Sequence, residues 1–210
     1  MKLIFLGAPG AGKGTQAEIL SRLCGIPIIS TGKILRDAIA NGTPIGRRAK
    51  EYVDSGKLVP DDVIIGIIGE RLTEADCKGG YILDGVPRTI PQAEAIEAGG
   101  IEIDCALSFE VEDAVIIDRM AGRRVCKKCS APFHITAKPP KKEGVCDYCG
   151  GEVAARSDDD PETVKTRLKV YHEETEPLLE FYSRRGKLKT AENRPTVEET
   201  TAVIRGVLGI

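Results

Sequence analysis

The chain has 210 residues, 41% of them hydrophobic and 30% charged, with a formal net charge of −2. That length suits one α/β domain with an insertion or two small domains, and the apolar share can fill a sizeable core. The near-neutral charge excludes a bulk electrostatic pull toward nucleic acid or membrane, and no apolar run approaches the roughly 18 residues of a transmembrane helix.

In chain order, an apolar strand at residues 2–6 comes first. The run Gly7-Ala8-Pro9-Gly10-Ala11-Gly12-Lys13-Gly14-Thr15 follows directly, and residues 16–23 read as a helix. Strand, glycine loop and helix in that order make a phosphate-binding site. The glycines let backbone N–H groups turn inward, the helix start adds partial positive charge, and Lys13 adds a full one. A di- or triphosphate is the expected guest. Residues 26–30 form a second short strand, and 31–40 a helix capped by Ser30 or Thr31. Asn41-Gly42-Thr43 matches a glycosylation acceptor by chance, since the amino-terminal residues begin a core strand with no signal-peptide layout.

Helices are expected at 44–55 and 61–73, joined by 56–60. A buried strand at 81–84 ends in Asp84. A helix at 89–98, a strand at 103–109 and a helix at 111–121 follow. Strands alternating with helices imply a parallel sheet covered on both faces. The alternation stops at Gly122. From there to Asp160 the chain is rich in Cys, Lys, Gly and Pro, which marks a small insert. A helical pattern resumes over 161–184, with Pro161 in its first turn and a kink or break expected at Pro177. Residues 187–191 and 196–208 supply a last strand and a closing helix.

Seven cysteines argue for a reducing compartment, and so for a cytoplasmic protein. Cys126-x2-Cys129 and Cys146-x2-Cys149 lie sixteen residues apart, which is a strong zinc pattern. Four sulfurs fill the shell, so the metal is expected to be structural, and it offsets the insert's lack of apolar burial. His134 is a spare donor. Cys24, Cys77 and Cys105 stand alone and read as small core residues. The insert's lysines lack the aromatic cluster that base stacking needs.

Phosphoryl transfer needs alignment and charge cancellation more than covalent help. Arginine suits that task because its fork grips phosphate bidentately. Arg36, Arg88, Arg119, Arg123, Arg156 and Arg167 are scattered in sequence, and gain meaning only beside the phosphate loop.

With these residues in view, the chain resembles the adenylate kinases, in the bacterial form with a long zinc-bearing lid. The carriers are the glycine loop with its Gly14, Ser30-Thr31-Gly32 with Arg36, and Gly56-Lys57-Leu58-Val59-Pro60-Asp61. Further carriers are Leu83-Asp84-Gly85-Val86-Pro87-Arg88 with Gln92, Asp118-Arg119-Met120-Ala121-Gly122-Arg123-Arg124, the cysteine pairs, and Arg156-Ser157-Asp158-Asp159 with Arg167. They span essentially the whole chain.

The resemblance implies an α/β P-loop nucleoside monophosphate kinase fold, with a parallel five-stranded sheet flanked by helices and a small zinc-binding lid insert. It implies a core (1–29, 60–121 and 161–210), an AMP clamp (30–59) and a lid (122–160). The implied reaction is reversible, Mg2+-dependent transfer from ATP to AMP, giving two ADP and serving adenine nucleotide homeostasis. Gly10, Ala11, Gly12, Lys13, Gly14 and Thr15 would hold the ATP phosphates, with Arg119 along the adenine face, Arg123 on the phosphates and the Arg194 carbonyl on adenine. Thr31, Arg36, Lys57, Leu58, Val59, Gly85, Val86, Pro87, Arg88 and Gln92 would hold AMP, with Arg156 and Arg167 reaching the transferring group. Lys13, Arg88, Arg123, Arg156 and Arg167 form the implied catalytic set. Cys126, Cys129, Cys146 and Cys149 would bind zinc. Asp84 either orients waters on Mg2+ or caps the turn before Gly85. A monomer binding ATP, AMP and ADP, without nucleic acid or membrane, is expected.

Three positions depart from the family pattern: Lys33, Val86 and Pro132-Phe133. The resemblance places Pro132 and Phe133 at the lid's ATP contact, where Pro132 has no N–H to offer phosphate and the Phe133 ring would stack on adenine. Lys33 reads as a solvent-facing helix residue. Two rival readings are a kinase of another monophosphate, such as UMP, CMP or GMP, and a zinc-ribbon nucleic-acid binder switched by ATP.

Overall fold

The computed structural model describes residues 1–210. Five strands make a fully parallel sheet: β1 (Lys2–Leu6), β2 (Ile28–Ser30), β3 (Tyr81–Asp84), β4 (Cys105–Glu110) and, numbered in chain order after three strands of the insert, β8 (Leu188–Glu192). Their spatial order is β2-β3-β1-β4-β8, so β1 is central. Side chains alternate across the pleat. Ile4 and Leu6 enter a buried cluster of 20 residues, whereas Leu3 and Phe5 enter a second of 12 on the opposite face. The five-stranded parallel sheet expected from the alternation and the resemblance is therefore present.

Helices cover both faces: α1 (Lys13–Cys24), α2 (Thr31–Ala40), α3 (Pro44–Asp54), α4 (Asp61–Leu72), α5 (Ile90–Ala98) and α6 (Asp113–Gly122), followed by α7 (Pro161–Val170), α8 (Pro177–Arg184) and α9 (Val197–Leu208). Caps fix several starts. Thr43 accepts from the Gly46 N–H at 3.0 Å, Thr89 from the Gln92 N–H at 3.2 Å, and Asp160 from the N–H groups of Glu162 and Thr163. α1 begins three residues before the expected start, because Gly12 takes a left-handed φ of 92° and hands the loop straight into the helix.

The helix expected over 161–184 is two helices. Between them, Tyr171–Thr175 is a π-helical turn, and the Glu176 N–H bonds the Tyr171 carbonyl at 2.8 Å, five residues back. Pro177 lacks an N–H and crowds the carbonyl four residues before it. The wider turn absorbs that conflict upstream of the proline.

The cysteine insert forms its own antiparallel sheet, with β5 (Arg123–Cys126) between β6 (Pro132–His134) and β7 (Val153–Ala154). Its buried cluster holds five residues, Cys126, Ala131, Phe133, Cys146 and Val153. Of the isolated cysteines, Cys77 and Cys105 are buried and Cys24 is half-buried. No helix is long and apolar enough to cross a membrane.

Candidate functional site

The site lies at the carboxyl ends of the central strands, where open α/β sheets hold ligands. The loop after β1 wraps the start of α1. A Cβ at Gly10 would stand 3.0 Å from the Met120 sulfur, so the loop packs closely against α6. Beside Gly12 and Gly14, by contrast, a Cβ would meet nothing within 4 Å. The helix ladder opens with the Gln16 N–H on the Gly12 carbonyl at 3.1 Å, which leaves the N–H groups of Lys13, Gly14 and Thr15 without a backbone partner. The Lys13 ammonium donates to the carbonyls of Gly7 (2.6 Å) and Ala8 (2.8 Å). Burial pushes its pKa down to about 8; Asp84 opposes the shift, and Arg88, Arg167 and Arg123 reinforce it.

Thr31, Arg36, Lys57, Leu58, Val59, Gly85, Arg88, Gln92, Arg156 and Arg167 line one cavity between α2, the 56–59 loop, α5 and the root of the insert. Ten of the twelve residues expected to hold AMP thus meet. The other two, Val86 and Pro87, are buried, Val86 within the larger core cluster. The Gly85 carbonyl accepts from the Thr31 hydroxyl at 2.8 Å and from Arg88 Nε at 3.0 Å. The Arg88 carbonyl accepts from the Thr175 hydroxyl at 2.8 Å, so its backbone is tied to the π-helical turn.

The arginines converge from five segments: Arg36 from α2, Arg88 from the loop after β3, Arg123 from β5, Arg156 from the stretch after β7 and Arg167 from α7. Arg123 Nε donates to Asp159 at 2.7 Å, with a second contact through Nη2. Arg156 grips Asp158 in the same bidentate way, its Nε at 2.8 Å. Arg167 reaches both carboxylates, at 3.1 and 3.2 Å. Burial lowers the Arg36 and Arg167 pKa values to about 10, far above neutrality, and lowers Arg88 and Arg123 as well. Burial alone would raise the Asp158 carboxyl, but Arg156, Arg167 and Arg123 hold it down at about 2. Lys13 and five arginines share Asp84, Asp158 and Asp159, and the surplus is positive. Asp158 and Asp159 carry no role in the sequence reading. Their signal was there, in acidic residues wedged between Arg156 and Arg167.

Across the loop, Arg119 sits 3.4 Å from the Asn193 side-chain oxygen. The Arg194 carbonyl, expected to face adenine, accepts from the Asn193 amide at 3.0 Å and from the Thr200 hydroxyl at 3.4 Å. At the lid contact expected of Pro132 and Phe133, the structure shows the ring packed away. The Phe133 ring is only 3% exposed, packed in the insert's own core and against Tyr148. It is spent on holding the insert together, so stacking on a base would require unpacking it, and Pro132 still offers no N–H. Lys33 pairs with Asp37 on the surface of α2, as its solvent-facing reading requires.

The four cysteine sulfurs all lie within 4.8 Å of one another. Cys126–Cys149 and Cys129–Cys146 are 3.5 and 3.6 Å apart, too long for disulfides and close to the roughly 3.8 Å edge of a tetrahedron with zinc–sulfur arms of about 2.3 Å. Each knuckle turns through a left-handed residue after its second cysteine, Ser130 (φ 62°) and Gly150 (φ 68°). A Cβ on Gly151 would stand 3.1 Å from the Cys126 sulfur. His134 is not part of the group; its Nδ1 accepts the Ala137 N–H at 3.1 Å.

A phosphate-binding loop under a cage of arginines, with a sulfur-bound flap, defines a P-loop phosphotransferase. Residues 5–187 match the family model described as adenylate kinase. The chain is 54% identical to the adenylate kinase of Caldicellulosiruptor saccharolyticus, 52% to that of Lachnospira eligens and 50% to that of a Geobacillus strain, over 99–100% of each chain. The chain belongs to the adenylate kinase family.

Proposed function

We propose that this chain transfers the terminal phosphoryl of ATP to AMP, reversibly, giving two ADP, and so balances the adenine nucleotides. The observation that carries this reading is the cavity that joins Arg36, Arg88, Arg156 and Arg167 to the buried Gln92, with the phosphate loop's Lys13 close enough to feel the charge of Arg88, Arg167 and Arg123. In this reading Gly10 to Thr15 cradle the ATP phosphates, Arg119 and the Arg194 carbonyl hold its adenine, and Arg123 grips its phosphates. Thr31, Arg36, Lys57 to Val59 and Gly85 to Arg88 hold AMP, and the Gln92 amide reads its base. Arg156 and Arg167 steady the moving group, where charge spreads over the equatorial oxygens.

Mg2+ bound with ATP supplies charge neutralisation at the phosphates. Asp84, at the carboxyl end of β3 with the Ser30 hydroxyl 3.4 Å away, is the residue to orient its waters. Zinc on the four cysteines is structural, since sulfur fills every ligand position. The working parts are a core (1–29, 60–121, 161–210), a clamp (30–59) and a lid (122–160) that closes to exclude water. We assign a monomer in the cytoplasm.

A coupled assay of ADP formation from ATP with AMP, UMP, CMP or GMP in turn tests the reading, with Lys13→Ala as control. AMP is the expected acceptor. Preference for another monophosphate, or full activity in the Lys13→Ala protein, overturns it.

A further inference from the structure

Gln92 is 2% exposed, and both ends of its amide are already engaged. Its Oε1 accepts the Arg88 N–H at 2.7 Å, and its Nε2 donates to Asp61 Oδ1 at 2.6 Å. Asp61 is itself pinned. It opens α4, where the helix dipole favours a carboxylate, and its Oδ2 accepts the Thr89 hydroxyl at 3.2 Å. The Thr89 oxygen in turn caps α5. Asp61 lies outside every role assigned above.

A side-chain amide is nearly symmetric in shape but opposite in chemistry at its two ends. Turning Gln92 over would set Oε1 against the Asp61 carboxylate and Nε2 against the Arg88 N–H. Both contacts would then be acceptor on acceptor and donor on donor, in a buried site where unpaired groups are costly. One N–H and one carbonyl lone pair remain for a ligand. In the fixed orientation they match a 6-aminopurine, which presents an amino donor beside the N1 acceptor. A 6-oxopurine presents a carbonyl beside an N1–H donor and needs the reversed amide.

We infer that Asp61 is a specificity-determining positioning residue that locks the Gln92 amide to accept adenine and refuse 6-oxopurine monophosphates. This rests on the base-reading role proposed for Gln92. The test compares kcat/KM for AMP and for inosine monophosphate in Asp61→Asn, which keeps the shape but accepts or donates at the Asp61 end, so that only the Arg88 N–H still opposes the reversed amide. The AMP preference falls about tenfold or more, while KM for ATP and kcat at saturating AMP stay within about twofold. A role in stability alone would lower both substrates together and leave their ratio intact.

Gln92→Ala separates the two ideas. If it abolishes the AMP preference while Asp61→Asn preserves it, the lock is wrong and base reading stands. If Gln92→Ala leaves the preference untouched, base reading fails and the lock fails with it. Should Asp61→Asn not fold, the Gln92 side-chain amide resonances of the unmodified protein decide. Slow solvent exchange of one Nε2 proton before AMP is added supports the lock, and fast exchange of both overturns it.

Discussion

The parallel-sheet core and the cysteine lid solve the same problem at different scales. Clusters of 20 and 12 buried residues hold the core, whereas the lid buries five, two of them cysteines. Apolar burial grows with the surface removed from water, and a segment the size of the lid removes too little to fold on that alone. Four sulfurs within 4.8 Å of one another are placed to hold one ion, whose binding would supply the order that apolar burial cannot.

The sharpest way to break this contrast is to take the metal away. Apparent binding free energies of structural zinc run to about 10–16 kcal/mol. Chelation, or Cys146→Ser, is expected to erase amide protection across residues 123–154 and lower activity, while the core keeps its own melting transition. Unchanged protection after complete chelation would mean that apolar burial suffices in the lid after all.

Next comes the cage, which both regions build. Arg167→Ala is expected to lower kcat about 10³-fold, the low end of what a transition-state arginine contributes, with little change in melting temperature. An equal loss of thermal stability would make Arg167 part of the scaffold. In the core, Ile68 is fully buried, and Ile68→Ala is expected to cost about 2–5 kcal/mol of global stability in chemical denaturation. Val153→Ala in the lid should leave that global transition in place and shift only local exchange.

Two smaller effects depend on pH. Lys13 sits near pKa 8 without ligand, and a bound phosphate raises it. ATP binding above pH 8 should therefore draw in up to about one proton, read by calorimetry in buffers of different ionisation enthalpy. Binding without proton uptake would remove Lys13 from the phosphates. His172 joins Glu176 at 2.8 Å to Asp113 at 3.0 Å, and those hydrogen bonds raise its pKa. Its stabilisation is complete below the unfolded value of about 6.5 and is lost as pH rises through the raised one. Solvent screening keeps it to about 1 kcal/mol or less. His172→Asn should flatten that slope in melting temperature against pH.

The same contrast explains what could be read from the sequence. The core's elements were legible because apolar periods of two and of 3.6 dictate them, and Thr31–Ala40 and Tyr81–Asp84 fall where those periods put them. In the lid the cysteine spacing gave the metal group but not the ribbon of β5, β6 and β7, since few apolar residues mark those strands. That Phe133 packs in a five-residue core was not legible, because sequence cannot tell a ring at a surface from one in so small an interior. Asp61 stayed silent for a related reason. It matters through a neighbour far along the chain, and only folding brings Asp61 to Gln92.

Four guanidiniums around one hollow, with Arg123 and the Lys13 ammonium nearby, repel each other whenever no nucleotide is bound. Asp158 and Asp159 let the enzyme stay assembled between turnovers, standing in for the anions that come and go. Asp158 therefore protects the vacant state more than the loaded one. Neutralising it would weaken the resting protein most, and saturating nucleotide would restore much of the loss.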